Sequence, residues 1–302
     1  MSLLRGAATI ERLDWRANLR ICWLFVRRSL RLWTYFKLNF LVSQAEVVSN
    51  LIIFATIARF HSAGAEPGAA AGGGGSYVSF VILGLILNAI LTAALAAPYN
   101  GLLDSFWSNR MEMLMMSPIR LPLFVVGTSA GSYIQAAFQV VIYAGLGWLW
   151  FGFAPWGAGW ALAGGLLLLG AFACTGLGLL AASNIYHLDA RGGQDPVRFL
   201  IGLLGGLAAG VYFPIYVLPR WLQWLACFIP HTYVLDGFRR AVLGSNAAGG
   251  LLPPHHLLPL SPIAVDALVL LLYGLIAAPI GWHLFERGIR RAKLDGRLSR
   301  WV

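Results

Sequence analysis

The sequence predicts an all-α membrane protein: six transmembrane helices, an N-terminal interfacial amphipathic helix, and a re-entrant segment between spans five and six. Three observations predict it. Hydrophobic residues make up 59% of the 302 and charged residues only 11%, against about 25% charged in soluble domains. The chain also carries several apolar runs of the roughly 20 residues that a helix needs to cross a bilayer. A spanning helix satisfies its own backbone, which lipid cannot do. Finally, the net charge of +10 comes from arginines gathered at the ends of apolar runs. That is the pattern of membrane topology, and a solvated basic face for nucleic acid is not visible.

Three regions follow. Residues 1–37 form a cytoplasmic N-terminus, 38–285 the six-span domain, and 286–302 a basic cytoplasmic tail. Within the first, residues 12–33 read as a helix lying in the interface. Arg12, Arg16, Arg20, Arg27 and Arg31 share one face, and Trp15, Cys22, Phe25, Val26 and Trp33 gather opposite. Span one is 38–58, and an Ala/Gly-rich linker follows with Gly72-Gly73-Gly74-Gly75. Span two, 77–98, ends at Pro98. A polar connection runs from Asn100 to Arg120 with a short helical pattern from Leu102 to Met116. Spans three and four are 122–150 and 160–184.

A charged loop at 185–199 leads into an apolar, Gly-rich stretch from Leu200 to Val217, counted as span five and broken by Pro214 and Pro219. Residues 215–240, interrupted again by Pro230, read as a segment that dips into the bilayer and returns under a cover of protein. The last span is 263–285. With both termini cytoplasmic, 18 of the 22 basic residues lie inside, leaving Arg59, Arg220, Arg239 and Arg240 outside. The positive-inside rule favours that orientation, in a cell membrane of bacterial type. No secretory signal peptide is apparent.

The functional residues begin with absences. A phosphate-binding loop needs Gly-Lys-Ser/Thr, and the two lysines, Lys37 and Lys293, follow Phe36 and Ala292. No catalytic, HExxH or GxSxG motif stands out, so energised work would draw on another subunit. Cys22, Cys174 and Cys227 lack metal or redox spacing and read as buried inert thiols. His255 and His256 read as part of a plain polar loop, and no metal is expected. A lipid-modifying membrane enzyme would draw on Glu46, Asp104, Asp236 and Asp266, which are scattered along the chain.

The stretch Phe213-Pro214-Ile215-Tyr216-Val217-Leu218-Pro219-Arg220-Trp221-Leu222, continuing to Ile229-Pro230-His231-Thr232-Tyr233-Val234-Leu235-Asp236-Gly237-Phe238-Arg239, resembles the signature of ABC type-2 exporter permeases. The pattern is Phe-Pro, Leu-Pro-x-Trp-Leu, Pro-x-Thr-Tyr, then an acidic residue before an arginine. The subfamily it is most similar to is that of daunorubicin-type drug-resistance permeases, with polysaccharide-export permeases as relatives. A shorter stretch, Arg110-Met111-Glu112-Met113-Leu114-Met115-Met116-Ser117-Pro118, is similar to the family's connection where the permease docks on its ATPase.

The resemblance implies the membrane subunit of an ATP-driven exporter. It would work with two copies of an ABC ATPase and a second permease, identical or paralogous. ATP and magnesium would sit on the ATPase, and this chain would bind no cofactor and catalyse nothing. The cargo would be a hydrophobic or amphipathic small molecule or drug; a lipid-linked polysaccharide or lipid is the alternative on the same fold. Docking would fall on Arg110, Glu112, Met113, Leu114, Ser117 and Pro118, and Pro214, Pro219, Trp221, Pro230, Tyr233, Asp236 and Arg239 carry the signature.

Polar residues inside spans mark paths or interhelical contacts. Glu46 shares a face of span one with Asn50, and Asn39 and Gln44 lie near it. A translocation path or gate competes with a structural bond there, and Asn88, Gln135 and Gln139 pose the same choice with interhelical bonding favoured. Phe213 and Tyr216 belong to an aromatic cluster that either gates the outer mouth or sits in the interfacial belt. Asp236 and Arg239, three apart, are expected to pair on one turn.

Overall fold

The computed structural model describes residues 15–64, 77–108, 113, 116, 120–153, 159–187, 196–244, 252–256 and 259–294. Among them there are helices and no strands. Helix α1 is Trp15–Tyr35, α2 Lys37–Gly64, α3 Tyr77–Trp107, α4 Leu121–Phe151 and α5 Trp160–His187. Then come α6 Pro196–Leu207, a 3-10 turn Ile215–Val217, α7 Arg220–Ala226, α8 Pro230–Leu243, a 3-10 turn Pro253–His256 and α9 Pro262–Leu294.

Five of these helices are long and apolar enough to cross a membrane: Lys37–Ile57, Tyr77–Trp107, Leu121–Phe151, Trp160–Ile185 and Pro262–Leu294. The expected fifth span differs. It is built as the 12-residue helix α6, about 18 Å long at 1.5 Å per residue, against a hydrocarbon core of about 30 Å. The helix stops at Leu207, and Gly210 adopts a φ of 87°, a left-handed conformation that a side chain disfavours. The chain is then irregular until the turn at Ile215.

Two expected boundaries also move. Helix α3 does not end at Pro98 but continues through it to Trp107. The proline costs one backbone hydrogen bond, but α5 packs on this turn, with Gly178 lying against Leu95 and Pro98. The helical pattern expected from Leu102 therefore begins as the C-terminal end of α3.

Helix α3 is the buried centre, with 61% of its most apolar window inside the protein against 17% for α2 and for α4. It packs on α4 and α5, while α5 also packs on α8 and α9. One core cluster joins α2, α3 and α8 through Leu51, Ile82, Leu87 and Leu235. Another joins α3, α4, α5 and α9 through Tyr99, Phe124, Ile185 and Phe285. The amphipathic helix α1 lies on α4, where Phe25 covers Gly127, and its Arg16, Arg20, Arg27 and Arg31 are exposed. Arg28, which the amphipathic pattern did not single out, forms an ion pair with Asp104 near the C-terminal end of α3. The side chains of Trp15 and Trp33, and Arg12, lie outside the described residues.

Candidate functional site

The broken stretch between α6 and α8 is held by side chains that answer its free carbonyls. Tyr77 donates its hydroxyl to the Tyr212 carbonyl at 2.8 Å. Arg239, 3% exposed, donates to the carbonyls of Gly210 at 2.6 Å, Phe80 at 2.9 Å and Val211 at 3.0 Å. Its guanidinium also lies 3.5 Å from the Phe80 ring centre, a cation–π contact. The position of Gly84 on α3 is filled by the Val211 carbonyl and the Arg239 guanidinium, so a Cβ there has no room.

The same logic explains the Pro-x-Thr-Tyr stretch. Pro230 starts α8 at its first turn, where a missing N–H costs nothing. One turn on, the Thr232 hydroxyl donates to the Ala226 carbonyl at 2.7 Å. Tyr233 donates to the Cys227 carbonyl at 2.7 Å, and Tyr273 of α9 donates to Phe228 at 2.7 Å. Gln223 serves Leu218 at 2.7 Å. Signature residues thus satisfy the exposed end of α7 and the turn after it, which in an apolar surrounding would otherwise be left without partners. Trp221, Trp224 and Phe228 point outward and are exposed, as are Phe213 and Tyr216.

Asp236 does not pair with Arg239. Its carboxylate takes two bonds from Arg240, from Nε at 2.7 Å and Nη2 at 3.2 Å. The i, i+4 spacing places Arg240 over Asp236, while the preceding residue faces α3. Asp266, fully buried in α9, accepts from His255 Nε2 at 2.8 Å. His255 is therefore no plain loop residue, although His256 is exposed. Two of the four acidic groups are not scattered, since Asp236 and Asp266 meet around one histidine, while Glu46 and Asp104 stand apart from them.

The donor atoms of Asp236, His255 and Asp266 lie within 4.8 Å of one another, the spacing of a metal site. The Leu252 N–H, however, points at His255 Nδ1 from 3.2 Å, so that nitrogen accepts and the ring proton sits on Nε2 toward Asp266. A metal on Nε2 would need the opposite tautomer. Burial holds the imidazole below its ordinary pKa, against the pull of Asp236. The geometry is that of a structural clasp joining α8, the loop and α9. It is too enclosed to reach a substrate. The thiols also differ from expectation: Cys174 is buried, but Cys22 and Cys227 are only partly so.

The polar residues of the spans fall in two places. Glu46 is exposed on α2 and makes no hydrogen bond or ion pair with a described residue, though its charge is felt by Tyr143, and Asn50 one turn on is half-buried. The others line a cavity of about 240 Å³ between α3 and α4, with Asn88 and Thr92 facing Ser132, Gln135 and Gln139. Among the described residues the interhelical bonds expected there are not made. Thr92 meets Asn88 at 3.4 Å within its own helix, and neither glutamine bonds a described residue. Leu85, Asn100 and Tyr143 also line it, and the small side chains of Ala89, Ala93, Ala96 and Ala136 open the space. A neighbouring cleft of about 380 Å³ shares Gln135 and adds Asn39, Ser43 and Asp104.

Of the docking stretch, Met113 is described and is 69% exposed, as is Met116 at 83%. Arg110, Glu112, Leu114, Ser117 and Pro118 lie outside the described residues. The elements flanking it are tied together: besides the Arg28–Asp104 pair, Arg198 at the start of α6 donates to Asn100 at 2.9 Å and covers the Tyr99 ring.

Comparison with known proteins agrees with this architecture. Residues 44–283 match the family model described as ABC-2 family transporter protein. The chain is 23% identical over 216 residues to the inner membrane transport permease YadH of Escherichia coli K12, covering 71% of this chain and 77% of that protein. The permease of the same name from Shigella flexneri matches with the same identity and coverage.

Proposed function

The chain belongs to the ABC-2 family of transporter proteins, and from that premise we propose that it is the permease subunit of an ATP-driven exporter of hydrophobic or amphipathic small molecules. The observation that carries this reading is the pairing of a family transporter domain with a 302-residue sequence that has no Gly-Lys-Ser/Thr loop. The energy then comes from a separate ABC ATPase, which holds ATP and magnesium. The exposed Met113 and Met116 suit docking into a groove on such a partner. The ties of α1, α3 and α6 around residues 102–118 support transmission of its movement to the bundle.

In this reading both termini are cytoplasmic and the chain crosses six times. Helix α6 enters from the inner side, and the braced segment through α8 completes the fifth crossing as a re-entrant turn. A second permease copy or a paralogue covers α2. Glu46 lies about 13 Å along the helix from Lys37, near mid-depth, where a carboxylate facing lipid is costly.

The test is co-purification with an ABC ATPase followed by measurement of ATP turnover. Glu112→Arg is expected to lower turnover sharply while leaving the permease folded. Unchanged turnover would move the docking site elsewhere, and failure to retain any ATPase would defeat the division of labour.

A further inference from the structure

We propose that the cavity between α3 and α4 binds the uncharged, hydroxyl-bearing headgroup of an amphipathic molecule, a neutral glycosyl group being the simplest case. This deepens the permease reading and rests on it for the identification of that molecule as cargo. Two helical stripes build the cavity. Asn88 and Thr92 are four apart on α3, and Ser132, Gln135 and Gln139 recur at three and four residues on α4. A carboxamide both donates and accepts, so a row of them complements hydroxyls, which do the same.

The glutamines have no protein partner among the described residues, although each stands at a depth where lipid offers none. Their hydrogen bonds go to whatever fills the space. Among the described residues no charged side chain lines the cavity, and Arg198 reaches it only through its bond to Asn100 at one end, so an ionic headgroup beside the glutamines would enter without a counter-charge, while a neutral one loses only water that the amides replace. The volume of about 240 Å³ is below the usual range of pockets for whole drug-sized ligands. It suits a headgroup, with Leu85 and the alanines of the lining left to meet the apolar part. The adjoining cleft at Asn39, Ser43 and Asp104 continues the polar surface toward the inner end of the bundle.

The test uses the full chain in phosphatidylcholine vesicles, without nucleotide or ATPase, so its outcome is independent of the ATPase pairing. The vesicles carry a neutral glycosyl diacylglycerol, phosphatidylglycerol, soluble maltose, or no addition. With the three native cysteines replaced by alanine, Ala93→Cys reports access to the cavity by its rate of reaction with a membrane-permeant maleimide. Several-fold slowing by the glycolipid alone is expected, and it should vanish on adding Gln135→Leu and Gln139→Leu. A second measurement needs no cysteine change: glycolipid retained per chain after purification, by mass spectrometry, should be higher for the native sequence than for the double glutamine variant. Equal protection by phosphatidylglycerol or by plain vesicles overturns the proposal, as does retention indifferent to the glutamines. Protection by maltose as strong as by the glycolipid overturns the amphipathic assignment. Disulfide linkage of two chains through the introduced thiol overturns it too, by showing that the groove is filled by a second copy.

Discussion

Two polar regions of this bundle are built on opposite rules. In the break between α6 and α8, eight carbonyls from Gly210 to Phe228 receive side-chain donors. In the cavity between α3 and α4, Gln135 and Gln139 have no hydrogen-bond partner among the described residues. The first arrangement spends its polar groups on holding a backbone that cannot be helical. The second keeps them free, which a fold alone has no reason to do. The difference separates polarity that maintains structure from polarity that awaits a ligand.

Substitutions can break that contrast or sharpen it. The largest effect is expected at Arg239→Leu, which strips the Gly210 and Val211 carbonyls of their donor. At about 1–3 kcal/mol for each buried group left unsatisfied, a loss of about 2–6 kcal/mol should appear as a large fall in thermal stability of the detergent-solubilised chain. Arg239→Lys keeps the charge but not the fork and should fall between. Gly84→Val puts methyl groups where Val211 and Arg239 meet and should cost about 1–3 kcal/mol by the same assay. Thr232→Val removes one brace at nearly constant shape, for about 0.5–1.5 kcal/mol. At the bottom of the series, Gln135→Leu should leave stability within about 0.5 kcal/mol of the native chain, because no bond is lost. A large destabilisation there would show that the cavity is structural after all.

The long spans were legible because each needs only a run of apolar residues, and α2, α3, α4, α5 and α9 begin within a residue or two of where hydropathy puts them. Pro98 was misread as an end because a proline's cost depends on what packs around it, here α5. The fifth expected span is only partly helical, because an apolar Gly-rich run has the composition of a helix while its path depends on Arg239, some thirty residues away. Local spacing allowed Asp236 to pair with either neighbouring arginine, and only the demand of the broken backbone decides between them. His255 and Asp266 meet through a loop whose path no periodicity encodes. The signature residues were recognisable by resemblance, but their hydroxyl-to-carbonyl bonds belong to tertiary structure.

The bracing by Arg239 also has a consequence for how the protein is made. Its acceptors, Phe80, Gly210 and Val211, all precede it in the chain, so synthesis delivers three waiting carbonyls before the cation arrives. An arginine is a poor passenger for a bilayer on its own, and this one finds its partners only on a surface formed by α3 and the broken segment. Residues 196–243 are therefore expected to join the bundle late, folding onto α3 rather than inserting as an autonomous hairpin. Truncation after Gly210 but before Arg239 would strand an open backbone in the membrane, the kind of intermediate that quality-control proteases remove.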